Sequence, residues 1–395
     1  MVLMGNVFAI TGANIGIGST SLTDHAVLID EDGKINAVCP IEAVPKNQKI
    51  VDVSGGSLIA GCIDLQVNGG GGVLFNNNVS VDAIETICRA HIQLGTCRLL
   101  ITLISSSAQS TTAAIAAAVK AYKKNIPGFL GLHLEGPHLS TVKKGAHNAT
   151  VLRCMTQFDL DELCDAKQQL PYLMVTVAPE MVTNKQIAIM SRNGIVVSLG
   201  HSNASCANAI AGYENGARCA THLYNAMSPL SSREPGMVGA ALSNDDAYAG
   251  LIADGIHVDA AAIKIALSAK NGRGKLFVVS DAMATTGSTL TEFNLDGRII
   301  VRKQNAEGKQ SRLELVDGTL AGADTDMLSS IRFLISDVGL DESEAIRMAT
   351  SYPSRCIGAA DYLGSLEPGH CANILHLDAD YQLQQVWVDG VTQLL

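Results

Sequence analysis

The chain has 395 residues, with 28 Lys and Arg against 38 Asp and Glu, and a formal net charge of -10. Hydrophobic residues make up 47% and charged residues 17%, which excludes a disordered chain and indicates a dense globular protein. The excess of acidic over basic residues argues against a nucleic-acid partner, because a phosphate backbone is bound by a basic surface. No apolar run approaches the roughly 18 residues of a membrane span.

The cysteines and the N-terminal residues predict the cellular compartment. The ten cysteines form no CxxC pair and no regular framework, which is typical of reduced, buried thiols. No basic residue precedes Lys34, so we expect no signal peptide. These features predict a cytoplasmic protein.

The first 56 residues predict short strands joined by turns. Asp32-Gly33, between two of these strands, is typical of a hairpin. The expected strands are 6–11, 24–30, 34–39 and 50–53.

After Gly56 the pattern changes to short apolar runs that alternate with segments of helical period. The apolar runs are 58–65, 97–104, 129–134, 173–178, 195–199, 217–221, 248–253 and 275–280. The clearest helical segments are 81–94, 111–124, 160–167, 184–192, 204–215 and 260–270. This alternation indicates a parallel sheet covered on both faces, and eight strands predict a TIM-like (β/α)8 barrel. A doubly wound open sheet remains the alternative.

The end of the chain predicts a second unit. Residues 294–322 contain short extended pieces, 326–340 and 341–350 are predicted helices, and the tail returns to strands at 372–377 and 383–388. If the strand-rich ends pair, residues 1–56 and 351–395 form a small β-sandwich domain and residues 57–350 form the barrel.

Polar side chains follow several predicted barrel strands, at the face where barrel chemistry lies. Glu135, His201 and His222 each follow an apolar strand, and Asp281 follows the last one. One carboxylate and two imidazoles suit a divalent ion such as Zn²⁺ with one position left open, and an Asp can serve as the base. Each residue alone is better explained structurally, as a core histidine or a helix cap. Four residues at equivalent strand ends favour a metal-dependent hydrolase.

A glycine-rich segment offers a competing interpretation. Residues 11–18 (TGANIGIG) fit the nucleotide loop of short-chain dehydrogenases. That interpretation requires a YxxxK pair, which the sequence lacks, and a helix after Gly18, where none is predicted. A hairpin in the N-terminal β unit is the better prediction.

Eight segments in order resemble the N-acetylglucosamine-6-phosphate deacetylases, which belong to the amidohydrolase superfamily. The resemblance covers nearly the whole chain. The segments are DLQVNG at 64–69, LHLEGP at 132–137, KKGAHN at 143–148, GHSN at 200–203, ATHLYNAM at 220–227, REPG at 233–236, DGIH at 254–257 and SDA at 280–282.

The resemblance implies a barrel with a small β-sandwich built from both termini. It also implies hydrolysis of N-acetylglucosamine 6-phosphate to glucosamine 6-phosphate and acetate by a metal-activated water. Carried over by motif, Glu135, His201 and His222 bind the metal, and Asp281 acts as general base and then as general acid. The other implied residues are His147, which polarises the acetyl carbonyl, Asn225 and Ala226, which position the sugar, and Arg233 and His257, which hold the phosphate. The family also implies a homodimer, with Arg233 or His257 as the residue that reaches across the interface.

The chain departs from the wider superfamily at the end of the first barrel strand. Many members carry His-x-His there and bind two metals, whereas this chain has Gln66 and Asn68. Neutral amides are poor ligands for Zn²⁺, so we expect one divalent ion per chain. Zinc is the default ion, and Fe²⁺, Co²⁺ or Mn²⁺ could use the same ligands. Residues 282–287 (AMATTG) also differ from the commoner proline-bearing version, which affects sugar recognition.

Other functions remain open from the sequence. The substrate could be another N-acetylhexosamine 6-phosphate, or a cyclic amide or amidine as in other amidohydrolases. Arg233 and His257 favour a phosphorylated substrate, because a phosphate needs a cation. A non-catalytic sugar-phosphate sensor is disfavoured by the presence of Asp281 beside the three predicted ligands.

Overall fold

The computed structural model describes residues 7–304 and 311–394. The predicted strand 6–11 therefore begins at a residue outside the described part, and its residues Phe8–Thr11 form a strand. Seven strands form the N-terminal segment: β1 Phe8–Thr11, β2 Asn14–Ile17, β3 Thr20–Leu22, β4 His25–Ile29, β5 Ile35–Pro40, β6 Lys49–Asp52 and β7 Ser57–Ala60. β2 and β3 pair as an antiparallel hairpin, so the glycine-rich segment 11–18 forms a hairpin and not a nucleotide loop.

The central segment alternates strands and helices. Its strands are β8 Cys62–Val67, β9 Gly69–Gly70, β10 Val73–Leu74, β11 Thr96–Ile104, β12 Phe129–Glu135, β13 Tyr172–Val177, β14 Val196–Leu199, β15 Cys219–Ala220, β16 Tyr248–Leu251 and β17 Leu276–Val278. Its helices are α1 Val81–Ile92, α2 Ala108–Lys123, α3 Gln157–Gln169, α4 Asn184–Arg192, α5 Cys206–Glu214, α6 Gly236–Ser243 and α7 Ala260–Ala269.

Eight of these strands form one parallel sheet in the order β8, β11, β12, β13, β14, β15, β16, β17. A parallel bridge between Val67 and Ala282 joins the end of β8 to the segment after β17. The sheet therefore closes on itself, which confirms the TIM-like barrel and rejects the open doubly wound sheet. Apart from Arg98 and Tyr172, which are half-buried, the residues of the eight strands are buried, as expected for a sheet with helices on its outer face.

Local sequence explains where the helices begin. Thr156 and Asp159 form a capping box at the start of α3, and Thr183 and Gln186 form another at the start of α4. The side chain of Ser80 accepts a hydrogen bond at the start of α1. These caps fix the loops that carry polar residues across the end of the barrel.

The last third of the chain adds a hairpin sheet and returns to the N-terminal strands. Its elements are β18 Glu292–Leu295, β19 Arg298–Gln304, β20 Ser311–Leu315, β21 Leu320–Ala323, α8 Met327–Ser336, α9 Glu342–Ala349, α10 Ser351–Ile357, β22 Ile374–Leu377, β23 Leu383–Val388 and β24 Val391–Gln393. β18 to β21 form a four-stranded sheet, and a parallel bridge between Ala282 and Ala323 joins it to the segment after β17.

Both termini contribute to one six-stranded sheet, in the order β24, β23, β22, β7, β2, β3. A second sheet, in the order β5, β4, β1, β6, shares an apolar core with it that includes Ile10, Ile15 and Trp387. The predicted domain boundaries at 56/57 and 350/351 remain a prediction. β7 belongs to this sheet although it follows residue 56. None of the helices in the described ranges is long and apolar enough to span a membrane.

The prediction of a single strand at 58–65 is wrong. The structure divides this run into β7 and β8, which belong to different sheets. The division falls at Gly61, where a Cβ atom would lie 2.4 Å from Cys97 Sγ. A glycine lets the chain pass close to the barrel wall, and apolar periodicity alone does not show that the run changes sheets.

Candidate active site

The candidate residues lie where the barrel strands end. Glu135 is the last residue of β12, and His201 and His222 come two residues after β14 and β15. Asp281 comes three residues after β17. Because parallel strands end on the same face of a barrel, these side chains meet there. All of them are buried, with Asp281 the most exposed at 9%.

Three polar side chains converge at the centre of this face. His222 Nε2 lies 3.0 Å from Glu135 Oε1 and 3.0 Å from His201 Nε2. His201 Nε2 lies 3.3 Å from Glu135 Oε1. The structure thus brings the three predicted ligands together, and their role as metal ligands remains a prediction.

The hydrogen bond that His201 makes outside the cluster shows why a cation fits between these three residues. Its Nδ1–H donates to the Lys143 carbonyl oxygen at 2.9 Å, since a carbonyl only accepts. Nε2 is therefore the His201 atom that is available to a metal, and it faces the Glu135 carboxylate. Two electron-rich atoms at this distance are stabilised by a cation or a proton between them. One carboxylate oxygen and two imidazole nitrogens are a donor set that suits Zn²⁺.

The electrostatics of the three residues are strongly coupled. Burial raises the pKa of Glu135, but hydrogen bonds from His201 and His222, followed by charge from His201 and His147, outweigh it and hold that pKa well below its usual range. Burial lowers the pKa of His222, and the Glu135 carboxylate more than offsets this and raises it. Glu135 is therefore a carboxylate at neutral pH, the form that binds a metal.

The backbone at these residues lies in an uncommon region. The φ angles of His201, His222 and Asp281 are 46°, 30° and 51°, in the left-handed region that non-glycine residues rarely adopt. Hydrogen bonds of Asp281 to Gln66 O and Ala323 N hold one of these conformations in place. Such strain is concentrated at functional sites, where the surrounding structure fixes it.

Asp281 is held by the side-chain amides of Gln66 and Asn68. Asn68 Nδ2 donates to Asp281 Oδ1 at 2.7 Å, and Gln66 Nε2 donates to the same oxygen at 3.0 Å. Gln66 Nε2 is also 2.9 Å from Glu135 Oε1. Both amides thus turn their N–H groups toward carboxylates. Burial, then the Glu135 charge, raises the pKa of Asp281 to about 6, although His222 and Asn68 oppose the increase.

His147 lies at the edge of the same cluster. Its Nε2 atom is 3.7 Å from Glu135 Oε2, and its ring centroid is 4.3 Å from that of His201. Its Nδ1 atom contacts Ser105 Oγ at 2.8 Å. Burial, followed by the charge of His201, holds the pKa of His147 well below its usual range. Its predicted role in polarising a carbonyl would require a proton on Nε2.

A cavity of about 380 Å³ opens beside the cluster. Asn225, Ala226 and His257, three of the predicted substrate contacts, line it. His257 Nδ1 donates to Asp254 Oδ2 at 2.6 Å, which fixes the orientation of the imidazole. Thr319, Leu320 and Gly322 of the β18–β21 sheet line the same cavity.

Arg233, the fourth predicted substrate contact, is exposed and is not among the residues that line the cavity. Its neighbour Glu234 accepts hydrogen bonds from the backbone N–H groups of Cys206 and Gly236. A phosphate contact by Arg233 therefore needs either a movement of its loop or a second subunit.

Sequence reasoning missed three groups that shape the site. Ser105 follows β11 by one residue, the Lys143 carbonyl orients His201, and the β18–β21 sheet covers part of the cavity. The position of Ser105 at a strand end was a usable signal. The other two depend on how distant loops fold over the barrel.

The comparisons with known proteins agree with this geometry. Residues 57–392 match the amidohydrolase family, and residues 7–58 match the NagA composite domain. The chain belongs to the amidohydrolase family. An N-acetylgalactosamine-6-phosphate deacetylase from Shewanella sp. (strain ANA-3) is 38% identical over 94% of this chain and 92% of its own length. An N-acetylglucosamine-6-phosphate deacetylase from Haemophilus influenzae is 37% identical over 93% of this chain and 94% of its own length.

A solved structure is similar to this chain over nearly its whole length. The N-acetylglucosamine-6-phosphate deacetylase from Pasteurella multocida has a TM-score of 0.92 and 35% identity, covering 98% of this chain and 99% of that one. This chain is therefore a member of a family of metal-dependent hydrolases, with the barrel and the N-terminal sheets of its relatives.

Proposed function

We propose that this amidohydrolase removes the acetyl group from N-acetylglucosamine 6-phosphate, giving glucosamine 6-phosphate and acetate. The observation that supports it most is the position of Asp281 beside the Glu135–His201–His222 cluster, at a cavity that also contains His257. The relatives from Haemophilus influenzae and Pasteurella multocida carry the name of this activity.

The metal would be held by Glu135, His201 and His222, with zinc as the proposed ion and one ion per chain. A divalent ion bound there lowers the pKa of water and polarises a carbonyl oxygen. Gln66 and Asn68 offer only neutral amide oxygens, which are poor ligands for Zn²⁺ beside imidazole and carboxylate, so we propose no second ion.

Asp281 would move the proton during amide hydrolysis. Both amide hydrogen bonds to its side chain fall on Oδ1, which leaves Oδ2 to exchange a proton. Asp281 takes a proton from the attacking water and returns it to the amine nitrogen as the carbon–nitrogen bond breaks. A carboxyl group with a pKa of about 6 is suited to both steps near neutral pH.

The sugar and its phosphate would be held at the open side of the cavity. Asn225 and Ala226 position the sugar, and His257 lies close enough to the cavity to contact the phosphate. Arg233, which is exposed, would complete the phosphate site from the second subunit of a homodimer.

The reduced thiols of the chain support a cytoplasmic location.

The experiment measures acetate release from purified, metal-loaded protein. N-Acetylglucosamine 6-phosphate is compared with its C4 epimer, N-acetylgalactosamine 6-phosphate, because the Shewanella relative is named for the latter. We expect the higher kcat/KM with the gluco substrate. Dihydroorotate serves as a cyclic amide control and should not be hydrolysed. A preference for the galacto substrate would reassign the substrate, and hydrolysis of the cyclic amide alone would reject the deacetylase.

A further inference from the structure

The side chain of Glu234, the residue after Arg233, binds backbone groups. Its Oε1 atom accepts hydrogen bonds from Cys206 N at 2.7 Å and from Gly236 N at 3.0 Å. Cys206 is the first residue of α5, where a carboxylate satisfies a free N–H group and interacts favourably with the helix dipole. The hydrogen bonds from Cys206 and then from Gly236 lower the pKa of Glu234, so its side chain is charged at neutral pH. One carboxylate oxygen thus joins the loop of Arg233 to α5.

The backbone on both sides of Arg233 is also fixed. The N–H group and the hydroxyl of Ser231 both donate to the Glu234 carbonyl oxygen, at 3.1 Å and 2.8 Å. Gly236 has a φ angle of 61°, and a Cβ atom there would lie 2.7 Å from the Pro229 carbonyl oxygen. A glycine is needed at this close approach, which brings the two ends of the loop together. Residues 229–236 therefore form a closed loop with Arg233 near its middle.

The side chain of Arg233, in contrast, is free. It is exposed, and its guanidinium has no hydrogen-bond or ion-pair partner among residues 7–304 and 311–394. An Arg next to a Glu is often neutralised by it, but the Glu234 carboxylate is committed to backbone N–H groups. An unpaired guanidinium on a fixed backbone can bind an anion with a small loss of backbone entropy, and it suits the two-point contact that a phosphate makes.

The start of this loop is tied to the segment that follows the predicted metal ligand His201. Ser228 N donates to the Ser202 carbonyl oxygen at 3.0 Å, and Ser228 Oγ donates to the Ala204 carbonyl oxygen at 2.6 Å. A movement of the loop toward the cavity of its own subunit would disrupt these bonds and those of Glu234. The fixed loop therefore favours a phosphate contact in the second subunit over a loop movement.

We propose that Glu234 is a positioning residue for phosphate recognition, because it holds the loop that presents the unpaired guanidinium of Arg233 to the phosphate of an N-acetylhexosamine 6-phosphate. This inference rests on the proposed function. Glu234 acts through Arg233 and does not itself contact the substrate. Its loss should therefore weaken binding of the phosphorylated sugar and leave the hydrolysis of the amide bond largely intact.

The test measures KM and kcat of metal-loaded protein for N-acetylglucosamine 6-phosphate and for N-acetylglucosamine. The proteins are the wild type, Glu234→Ala, Glu234→Gln, Arg233→Ala and the double variant Arg233→Ala/Glu234→Ala. Glu234→Gln keeps Oε1, the atom that accepts both backbone hydrogen bonds. Glu214→Ala is the matched control, because it removes an exposed carboxylate from the opposite end of α5.

We expect Glu234→Ala to raise KM for the phosphorylated sugar by about 10-fold, the order of effect that follows the loss of a hydrogen bond to a charged group. KM for N-acetylglucosamine and kcat for both sugars should change little. Glu234→Gln should restore a KM near that of the wild type. In the Arg233→Ala protein, adding Glu234→Ala should have no further effect on KM, because the two residues act as one unit.

Two results would overturn the proposal. One is an equal effect of Glu234→Ala on the two sugars, which indicates a structural role. The other is a further increase in KM when Glu234→Ala is added to Arg233→Ala, which shows that Glu234 does not act through Arg233. Failure of the proposed function gives a different result, in which the wild type hydrolyses neither sugar and the inference is rejected with it.

Discussion

The side-chain amide of Asn68 donates a 2.7 Å hydrogen bond to Asp281 Oδ1. This bond favours the charged form of Asp281 and so opposes burial and the Glu135 charge, which leave the pKa of this carboxyl group raised to about 6. The base must be ionised to accept a proton, so activity should fall as the pH decreases through this pKa.

Removing the side-chain amide of Asn68 should shift the pH at which activity falls. Asn68→Ala raises the pKa of Asp281, so the acidic limb of the kcat/KM profile should shift to higher pH. The ratio of activity at pH 6 to activity at pH 8 should therefore decrease. Asn193→Ala is the control, because this exposed residue lies at the end of α4 and bonds only within that helix. An acidic limb that stays in place would show that Asn68 does not tune the base.

Asp281→Asn tests the proton transfer itself. The substitution keeps the size of the side chain but removes its ability to accept a proton. We expect kcat to fall by about 10²–10⁴-fold, the usual contribution of general acid–base catalysis. Metal content should be unchanged, because the predicted ligands lie on other strands. Near wild-type turnover with the metal bound would assign Asp281 a structural role.

Metal content tests the role of the two amides. Gln66 and Asn68 stand where a second ion would need imidazole ligands, and neutral amides are poor ligands for Zn²⁺, so elemental analysis should find one firmly bound divalent ion per chain. Replacing a predicted ligand, as in His222→Ala, should reduce that content strongly. Two tightly bound ions per chain would contradict the mononuclear site.

Arg233→Ala tests recognition of the phosphate. A guanidinium can bind phosphate through two hydrogen bonds, so its loss should raise KM for N-acetylglucosamine 6-phosphate far more than for N-acetylglucosamine. Arg192→Ala, at the exposed end of α4, is the matched control. Equal effects on both substrates would place the phosphate contact elsewhere.

Sedimentation should show a homodimer, because Arg233 is proposed to act from the second subunit. A monomer with intact phosphate preference would place the phosphate contact elsewhere.

The sequence predicted the barrel and the meeting of Glu135, His201, His222 and Asp281 because both depend on a simple rule. Apolar runs give the strands, and the residues just after parallel strands share one face. The side-chain positions within that face follow from the fold once the strands are known.

The remaining features depend on contacts between distant segments. Periodicity did not show that Gly61 separates two strands, because the close approach to Cys97 exists only in the folded chain. The bond from Ser105 to His147 joins residues 42 positions apart. Arg233 was identified as a phosphate contact from its motif. A motif does not show whether the side chain contributes to the site of its own subunit or to that of the second subunit.

The most direct test of the central claim is a quantitative assay of acetate and free amine from N-acetylglucosamine 6-phosphate with metal-loaded protein. We predict equal amounts of acetate and glucosamine 6-phosphate, loss of activity after chelation, and recovery when zinc is restored. Metal-loaded, folded protein that releases no acetate from this substrate would contradict the proposed function.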